Sequence, residues 1–390
     1  MLQALEGSQA LARTVALCRP QVIAAYPITP QTHIVENLSR LVADGTLDCE
    51  LVSVESEFSA ASVALGAVAA GSRAYTASSS QGILLMAEVL YNIAGLRMPL
   101  VLTCANRAVS GPLSIWNDQQ DSMAVRDAGW IQLYCADNQE AVDTTIQAFR
   151  IAEQCELPVM VCVDGFTLTH TLEVIDLPEQ QQVDDFLPAF SFERRLDPAN
   201  PISIGTLVSP DYFTEARQSH HQALENALQT IVDVQQEWGQ LAERNCDALL
   251  NTSGPADARI GILTLGSIAG TLAAAMDRYT DNPATRLLTL RTFRPFPAAA
   301  IRQACQGLTD LVVLERALSP GSGGIVGAEV RAAFSEIQDA PRVHNFTVGL
   351  GGRDVPLEIY PHLHQAIRDG RGLPFAILDL EPDKLPEAAC

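Results

Sequence analysis

The sequence predicts an α/β protein built on a mainly parallel sheet. Three observations carry this. Short apolar runs of strand length alternate with segments of helical period through the first 170 residues. The chain is 47% hydrophobic and only 18% charged, as suits strands buried on both faces. Near residue 260 the alternation resumes, so the 390 residues divide into two domains, 1–170 and 258–390, joined by an arm over 171–257.

The elements follow in order. Residues 8–18 read as a helix, with Ala10, Leu11, Val15 and Leu17 as its apolar positions. Val22–Ala25 reads as a buried strand. It runs into Tyr26-Pro27-Ile28-Thr29-Pro30, where two prolines bracket one hydroxyl residue. Proline fixes φ and biases the preceding residue toward extended geometry. Thr29 therefore sits on a stiff turn at the carboxyl end of a strand, the edge where open α/β sheets bind ligands. A plain N-cap role for Thr29 is the local alternative. Thr32–Ala43 is a helix and Leu51–Val54 a strand. Glu57 then precedes a helix of small residues over Phe58–Ala70. The strands Ala74–Ala77, Leu100–Cys104, Trp130–Tyr134 and Pro158–Val163 alternate with helices over Gly82–Ile93 and Asn138–Glu153.

Residues 171–202 are rich in Pro, Gln and Asp, lack a clear period and read as a connecting arm. Residues 219–241 form an amphipathic helix, with Leu224, Ala227, Leu228, Ile231, Val234, Trp238 and Leu241 at helical spacing. The His220-His221 pair on it reads as solvated. Asn251-Thr252-Ser253-Gly254-Pro255 reads as a linker. Ile260–Ser267 is a strand entering a glycine turn, and Leu287–Leu290, Leu311–Leu314 and Val343–Val348 are further strands. Gly266 and Gly270 do not complete a G-x-G-x-x-G fingerprint for a dinucleotide.

Composition excludes several classes. A formal net charge of −21 argues against nucleic-acid binding, which needs a basic footprint. Nine cysteines, at 18, 49, 104, 135, 155, 162, 246, 305 and 390, include no C-x-x-C pair and no iron–sulfur ligand set. Their scatter suggests a reducing compartment. Cys104, Cys155 and Cys162 read as small core residues. The seven histidines show no zinc-ligand spacing. There is no basic n-region at the start, and no apolar run approaches the roughly 20 residues a membrane span needs. The expectation is a cytoplasmic protein with no membrane contact.

The motifs, taken together, resemble a known family. They are Tyr26-Pro27-Ile28-Thr29-Pro30, Glu57 with its small-residue helix, Ser78-Ser79-Ser80-Gln81-Gly82, Ala105-Asn106-Arg107-Ala108, Ile115-Trp116-Asn117-Asp118-Gln119-Gln120-Asp121 and Gly349-Leu350-Gly351-Gly352-Arg353-Asp354. The set resembles the α subunits of pyruvate:ferredoxin oxidoreductases and related 2-oxoacid:ferredoxin oxidoreductases. The resemblance implies a pyrimidine-type thiamine diphosphate-binding domain followed by a transketolase C-terminal-like α/β domain.

It also implies site roles. Loss of CO2 from a 2-oxoacid leaves a carbanion, and thiamine diphosphate is the electron sink that side chains lack. Glu57 is the expected carboxylate for the aminopyrimidine N1′, with Glu55 as its neighbouring rival and helix capping as the plain alternative. Arg107 is the expected fork for the substrate carboxylate, against a surface ion pair. Thr29 is expected to hydrogen-bond the same substrate, with Ile115 contacting its methyl group. Asn117, Asp118 and Asp121 read as loop-fixing groups. Gly-Asp-Gly occurs nowhere, and Asp164-Gly165 is followed by Phe166. The diphosphate and Mg2+ then fall to a β subunit and the 4Fe-4S iron–sulfur clusters to partner subunits, with γ and δ-type subunits also expected in the complex. Ferredoxin, coenzyme A and a 2-oxoacid are the expected partners. Another 2-oxoacid (2-oxoisovalerate, 2-oxoglutarate or oxalate), a lipoamide-linked dehydrogenase subunit or a non-catalytic scaffold are the alternative readings.

Overall fold

The computed structural model describes residues 2–244 and 246–385. Fifteen strands are formed among them: β1 (Leu2–Glu6), β2 (Val22–Ala25), β3 (Glu50–Ser53), β4 (Ala74–Ser78), β5 (Val101–Asn106), β6 (Ile131–Tyr134), β7 (Val159–Asp164), β8 (Leu172–Asp176), β9 (Leu250–Ser253), β10 (Ile260–Thr264), β11 (Thr285–Leu290), β12 (Thr292–Arg294), β13 (Asp310–Glu315), β14 (Arg342–Thr347) and β15 (Ala376–Ile377).

The first sheet has seven strands in the order β12-β6-β7-β5-β4-β2-β3. Six are parallel, and β12 closes the β6 edge antiparallel. Every residue of β4, β5 and β7 is buried, as expected for central strands covered on both faces. The strand order reverses between β2 and β4, because the chain passes from β2 out to β3 and returns to the other side. The carboxyl ends flanking that reversal are where an open α/β sheet binds its ligand. The Tyr26–Pro30 turn leaves β2 at this point and Ser78-Ser79-Ser80 leaves β4.

The second sheet, β15-β14-β13-β10-β11-β9, is parallel except for its antiparallel β9 edge. One core serves both sheets. Leu100, Leu102, Cys104, Met160 and Cys162 of the first pack in the same cluster as Leu263, Leu288, Leu311 and Val313 of the second. A separate core on the other face of the first sheet takes in the helices Gly7–Leu17, Asn138–Cys155 and Pro210–Ala242.

Several expectations need correction. The supposed linker is strand β9, with Asn251, Thr252 and Ser253 paired to Thr289, Leu288 and Leu287. The arm is partly ordered into β8, which pairs antiparallel with β1, and a short helix over Gln180–Phe186. The long helix begins at Pro210, nine residues before the expected start at 219, with Ser209 as N-cap and proline in its first turn. His220 is buried, not solvated, and its Nε2 faces the Gly129 carbonyl at 3.3 Å. The 82–93 helix is two helices, Gln81–Leu85 and Ala87–Gly95, parted at Met86. Cys104 and Cys162 are buried opposite each other in β5 and β7, and burial pushes the Cys104 thiol well up, so it is no nucleophile. Cys155 is only partly buried. Cys390 lies outside the described residues.

Candidate active site

The β2 turn is fixed by a buried glutamine. Gln31 donates through Nε2 to the Ala77 carbonyl of β4 at 2.7 Å and accepts from the Ile28 N–H at 3.2 Å. Thr29 is thereby held exposed at the sheet edge. It is not an N-cap: the helix starts at Thr32, after Gln31. Its hydroxyl makes no hydrogen bond among the described residues.

Arg107 follows β5 and is folded back over the same edge. Its Nη1 donates to the Thr29 carbonyl at 2.9 Å and its Nε to the Ser114 carbonyl at 3.1 Å. These two bonds leave Nη2 uncommitted on a guanidinium that always carries its charge. Burial lowers its affinity for the proton, and the Asp121 carboxylate opposes this. Among the described residues Arg107 makes no ion pair and is itself buried at 7% exposure, which counts against the surface ion-pair alternative.

Asp121 organises the edge. Fully buried, it accepts hydrogen bonds from the backbone N–H groups of Ser80, Arg107 and Ser122 and from Asn106 Nδ2, all within 2.8–2.9 Å. Burial raises its pKa and these donors pull it down. The ends of β4 and β5 are thus tied to one carboxylate. Ser80 beside it has φ 49°, a left-handed backbone unusual for serine.

Glu57 opens the helix Glu57–Ala69, behind Ser56, whose Oγ accepts from the Ser59 N–H at 3.2 Å. Glu57 is buried at 7% exposure, yet its carboxylate has no hydrogen bond or ion pair among the described residues. It lies against Gly82 and Ser78: a Cβ on Gly82 would stand 2.7 Å from Glu57 Oε1 and 2.3 Å from Ser78 Oγ. Only glycine allows that approach. Glu55, the rival, is exposed and satisfied by Ser59 Oγ at 2.5 Å, which lowers its pKa. Buried polar atoms without partners gather nearby: Ser78 Oγ, Ser79 Oγ and Gln81 Nε2.

The structure therefore brings Thr29 and Arg107 into contact. Through Ser78–Gly82 it places Glu57 on the same carboxyl edge. Ile115 is exposed at 40%, one residue beyond the carbonyl that Arg107 holds. Its neighbour Leu113 is more exposed still.

Sequence reasoning missed the clasp between the two sheets. Asp164, at the end of β7, accepts from Gln119 Nε2 at 3.1 Å, from Ser267 N–H and Oγ at 2.9 and 2.5 Å, and faces Arg316 Nη1 at 3.5 Å. Gly266 (φ 67°) permits this: a Cβ there would stand 2.8 Å from Asp164 Oδ2. The glycine turn thus serves contact between units, not a nucleotide. Asp118 joins the same seam, accepting from the N–H groups of Gln120 at 3.0 Å and Gly351 at 3.1 Å. The Gly351-Gly352 turn, whose role was open in the sequence, supports this loop.

Burial raises Asp118 to about 6, with the Gln120 N–H pulling the other way. A carboxyl with a raised folded-state pKa contributes its full stability below the unfolded value, near pH 4. That contribution is lost as pH rises through about 6. Asp118→Asn is expected to remove this dependence. The difference in Tm between variant and parent, measured from pH 4.5 to 7.5, should shift in favour of the variant as pH rises. A difference flat in pH would reject the assignment.

The class that fold and site define is a two-sheet α/β protein with a polar site at the carboxyl edge of its parallel sheet. A 2-oxoglutarate:ferredoxin oxidoreductase from Magnetococcus marinus, solved with 2-oxoglutarate, coenzyme A and succinyl-CoA bound, shares the fold. The TM-score is 0.69 at 19% identity, covering 94% of this chain and 65% of that one. The chain belongs to the pyruvate flavodoxin/ferredoxin oxidoreductase family: residues 13–236 match its thiamine diphosphate-binding model, and residues 258–359 match pyruvate:ferredoxin oxidoreductase core domain II. It is 43% identical to the pyruvate synthase subunit PorA of Methanosarcina barkeri, over 98% of this chain and 97% of that protein. It is 38% identical to the ketoisovalerate oxidoreductase subunit VorA of Pyrococcus abyssi, over 90% of this chain and 89% of that one.

Proposed function

We propose that this chain is the α subunit of a pyruvate:ferredoxin oxidoreductase, catalytic only within a multi-subunit complex. Pyruvate and coenzyme A are converted to acetyl-CoA and CO2, and the electrons released pass to ferredoxin. The observation that carries the reading is Glu57, a residue only 7% exposed whose carboxylate lies against the Ser78–Gly82 turn and has no protein partner among the described residues. A carboxylate at the mouth of a largely buried pocket, with no protein partner, is placed to pair with a ligand. The unpartnered Ser78, Ser79 and Gln81 atoms beside it also fit a polar ligand.

Thiamine diphosphate, when bound, supplies the electron sink for decarboxylation. Glu57 holds the proton at the aminopyrimidine N1′. Arg107 turns its free Nη2 to the 2-oxoacid carboxylate, and the Thr29 hydroxyl orients the same molecule. Ile115 offers apolar contact to the methyl group. The pyrimidine-side unit spans 1–170, the arm 171–257 and the C-terminal unit 258–390. A β subunit holds the diphosphate and Mg2+, since no Gly-Asp-Gly exists here. Partner subunits carry the 4Fe-4S clusters that pass electrons on, and γ and δ-type subunits are among the partners. Exposed Tyr26, Phe58, Leu84, Leu85, Tyr91 and Trp116, on or beside the elements of this edge, are consistent with a large partner surface. Among the described residues no helix is long and apolar enough to cross a membrane, and we place the complex in the cytoplasm.

The similarity to a ketoisovalerate enzyme subunit keeps a branched 2-oxoacid as the second reading. The test is co-purification of the complex with thiamine and iron quantified, and viologen reduction assayed with coenzyme A and either pyruvate or 2-oxoisovalerate. Thiamine- and iron-containing material reducing dye with pyruvate supports the proposal. Preference for 2-oxoisovalerate overturns the substrate alone. A chain that purifies alone and free of thiamine overturns the catalytic reading.

A further inference from the structure

We propose that Glu6, His33 and His170 form a binding site for a divalent transition cation of the zinc class. The three come from segments far apart in sequence. Glu6 ends β1, His33 lies in the first turn of the helix Thr32–Ala43, and His170 follows β7 in the turn leading to β8. One ligand atom from each lies within 4.8 Å of the other two, the only such group of histidine, cysteine and acidic side chains among the described residues. No local pattern announces it, because no two of these residues share a short spacing.

The donor set is chemically coherent. Two imidazoles and one carboxylate match sites that leave a position open to water or another ligand. Bonds near 2.0–2.2 Å place ligand atoms roughly 3.3 Å apart. Glu6 Oε1 and His33 Nδ1 already stand 2.9 Å apart. Side-chain rotation alone closes the remaining gap, because none of the three is fully buried. That exposure also leaves the cation a way in.

Groups around the ligands are arranged to hold His170. Its Nδ1 is 2.8 Å from Thr169 Oγ1. That same oxygen accepts the Phe166 N–H at 2.8 Å, and the Thr169 carbonyl accepts from Ser8 Oγ at 2.6 Å. With Nδ1–H donating to the threonine, the Nε2 lone pair is free for a metal, the usual outer-shell arrangement of a ligating histidine. The His33 and His170 rings pack against each other, their centroids 4.3 Å apart, which keeps the two side chains side by side.

The site has a structural reach. Phe166 stacks on His170 at 4.8 Å and on Trp116 at 4.7 Å. A cation here would brace the β1–β8 strand pair and the helix after the Thr29 turn together with the ring cluster that ends on the Trp116 loop. This inference does not depend on the 2-oxoacid reading, since its readout is metal binding.

The test uses the full-length chain, stripped with chelator and titrated with Zn2+ by calorimetry in excess Mg2+. One Zn2+ per chain is expected at this site, with a rise in Tm on binding. Glu6→Gln, His33→Ala and His170→Ala should each weaken binding at least tenfold. His33 is 46% exposed, so its removal should leave the metal-free fold intact. Thr169→Val should weaken binding about tenfold and Thr169→Ser restore it, a pattern that ordinary packing would not produce. His221→Ala and His362→Ala should change nothing. The proposal is overturned if no saturable Zn2+ binding appears. It is equally overturned if binding survives both His33→Ala and His170→Ala, which would assign the Zn2+ to thiols and leave Glu6–His33 a plain hydrogen bond.

Discussion

Replacing Glu57 by Gln is expected to lower kcat of the assembled complex by about two to four orders of magnitude, the range over which a positioned proton-transfer group acts. The substitution keeps shape and removes charge. Glu57 has no protein partner to lose, so assembly and thiamine content should survive, and Tm should hold or rise. The local alternative predicts the opposite pattern. A carboxylate that only favours a helix N-terminus contributes about 0.3–1 kcal/mol, so its loss would lower Tm slightly and leave kcat alone. Glu55→Gln is the control: that residue is exposed and hydrogen-bonded to Ser59, and turnover should not change. Steady-state kinetics of the three complexes with melting curves separate the readings. Unaltered kcat in Glu57→Gln would remove this residue from the mechanism.

The second large effect is expected at Arg107. Lysine keeps the charge but loses the fork, so Arg107→Lys isolates geometry from electrostatics. Charged hydrogen bonds contribute about 1.5–3 kcal/mol. The loss of kcat/KM for the 2-oxoacid should then be roughly 10–150-fold, mostly in KM. KM for coenzyme A should stay as it was. The variant should also melt lower, because the Thr29 and Ser114 carbonyls lose their donor. A lower Tm with unchanged KM would make Arg107 a strut between two loops.

The sequence revealed what local patterns encode. The central strands were legible because each is a short apolar run with Gly, Pro or Ser close to at least one end, and those runs became β2, β4, β5 and β7. The start of the long helix had a readable signal that was passed over: Ser209-Pro210-Asp211 is an N-cap, a first-turn proline and a first-turn acid. Strand β9 had none, since Asn-Thr-Ser-Gly-Pro has turn composition and its extended form rests on pairing with β11.

The candidate site divides the same way. Glu57, Thr29 and Arg107 were legible because each directly follows a strand or its turn, and the topology turns those positions to one edge. Their supports were not. Asp121 joins β4 to β5, and Asp164 reaches Ser267 across 103 positions. His33 and His170 meet only because the helix after β2 and the turn after β7 are brought together in the folded chain. Such contacts follow from tertiary structure and leave no periodicity to read.

The antiparallel β12 sets a timetable for synthesis. It seals the exposed edge of β6, yet it is made only after the whole arm, the long helix and the start of the second sheet. At about 5–20 residues per second, roughly 160 residues of elongation keep that edge bare for something like 8–30 s on each ribosome. A bare edge strand is a template for pairing with another chain. Nascent copies of this protein are therefore most vulnerable to mispairing in that interval, and a chain ending at 257 would remain in it permanently.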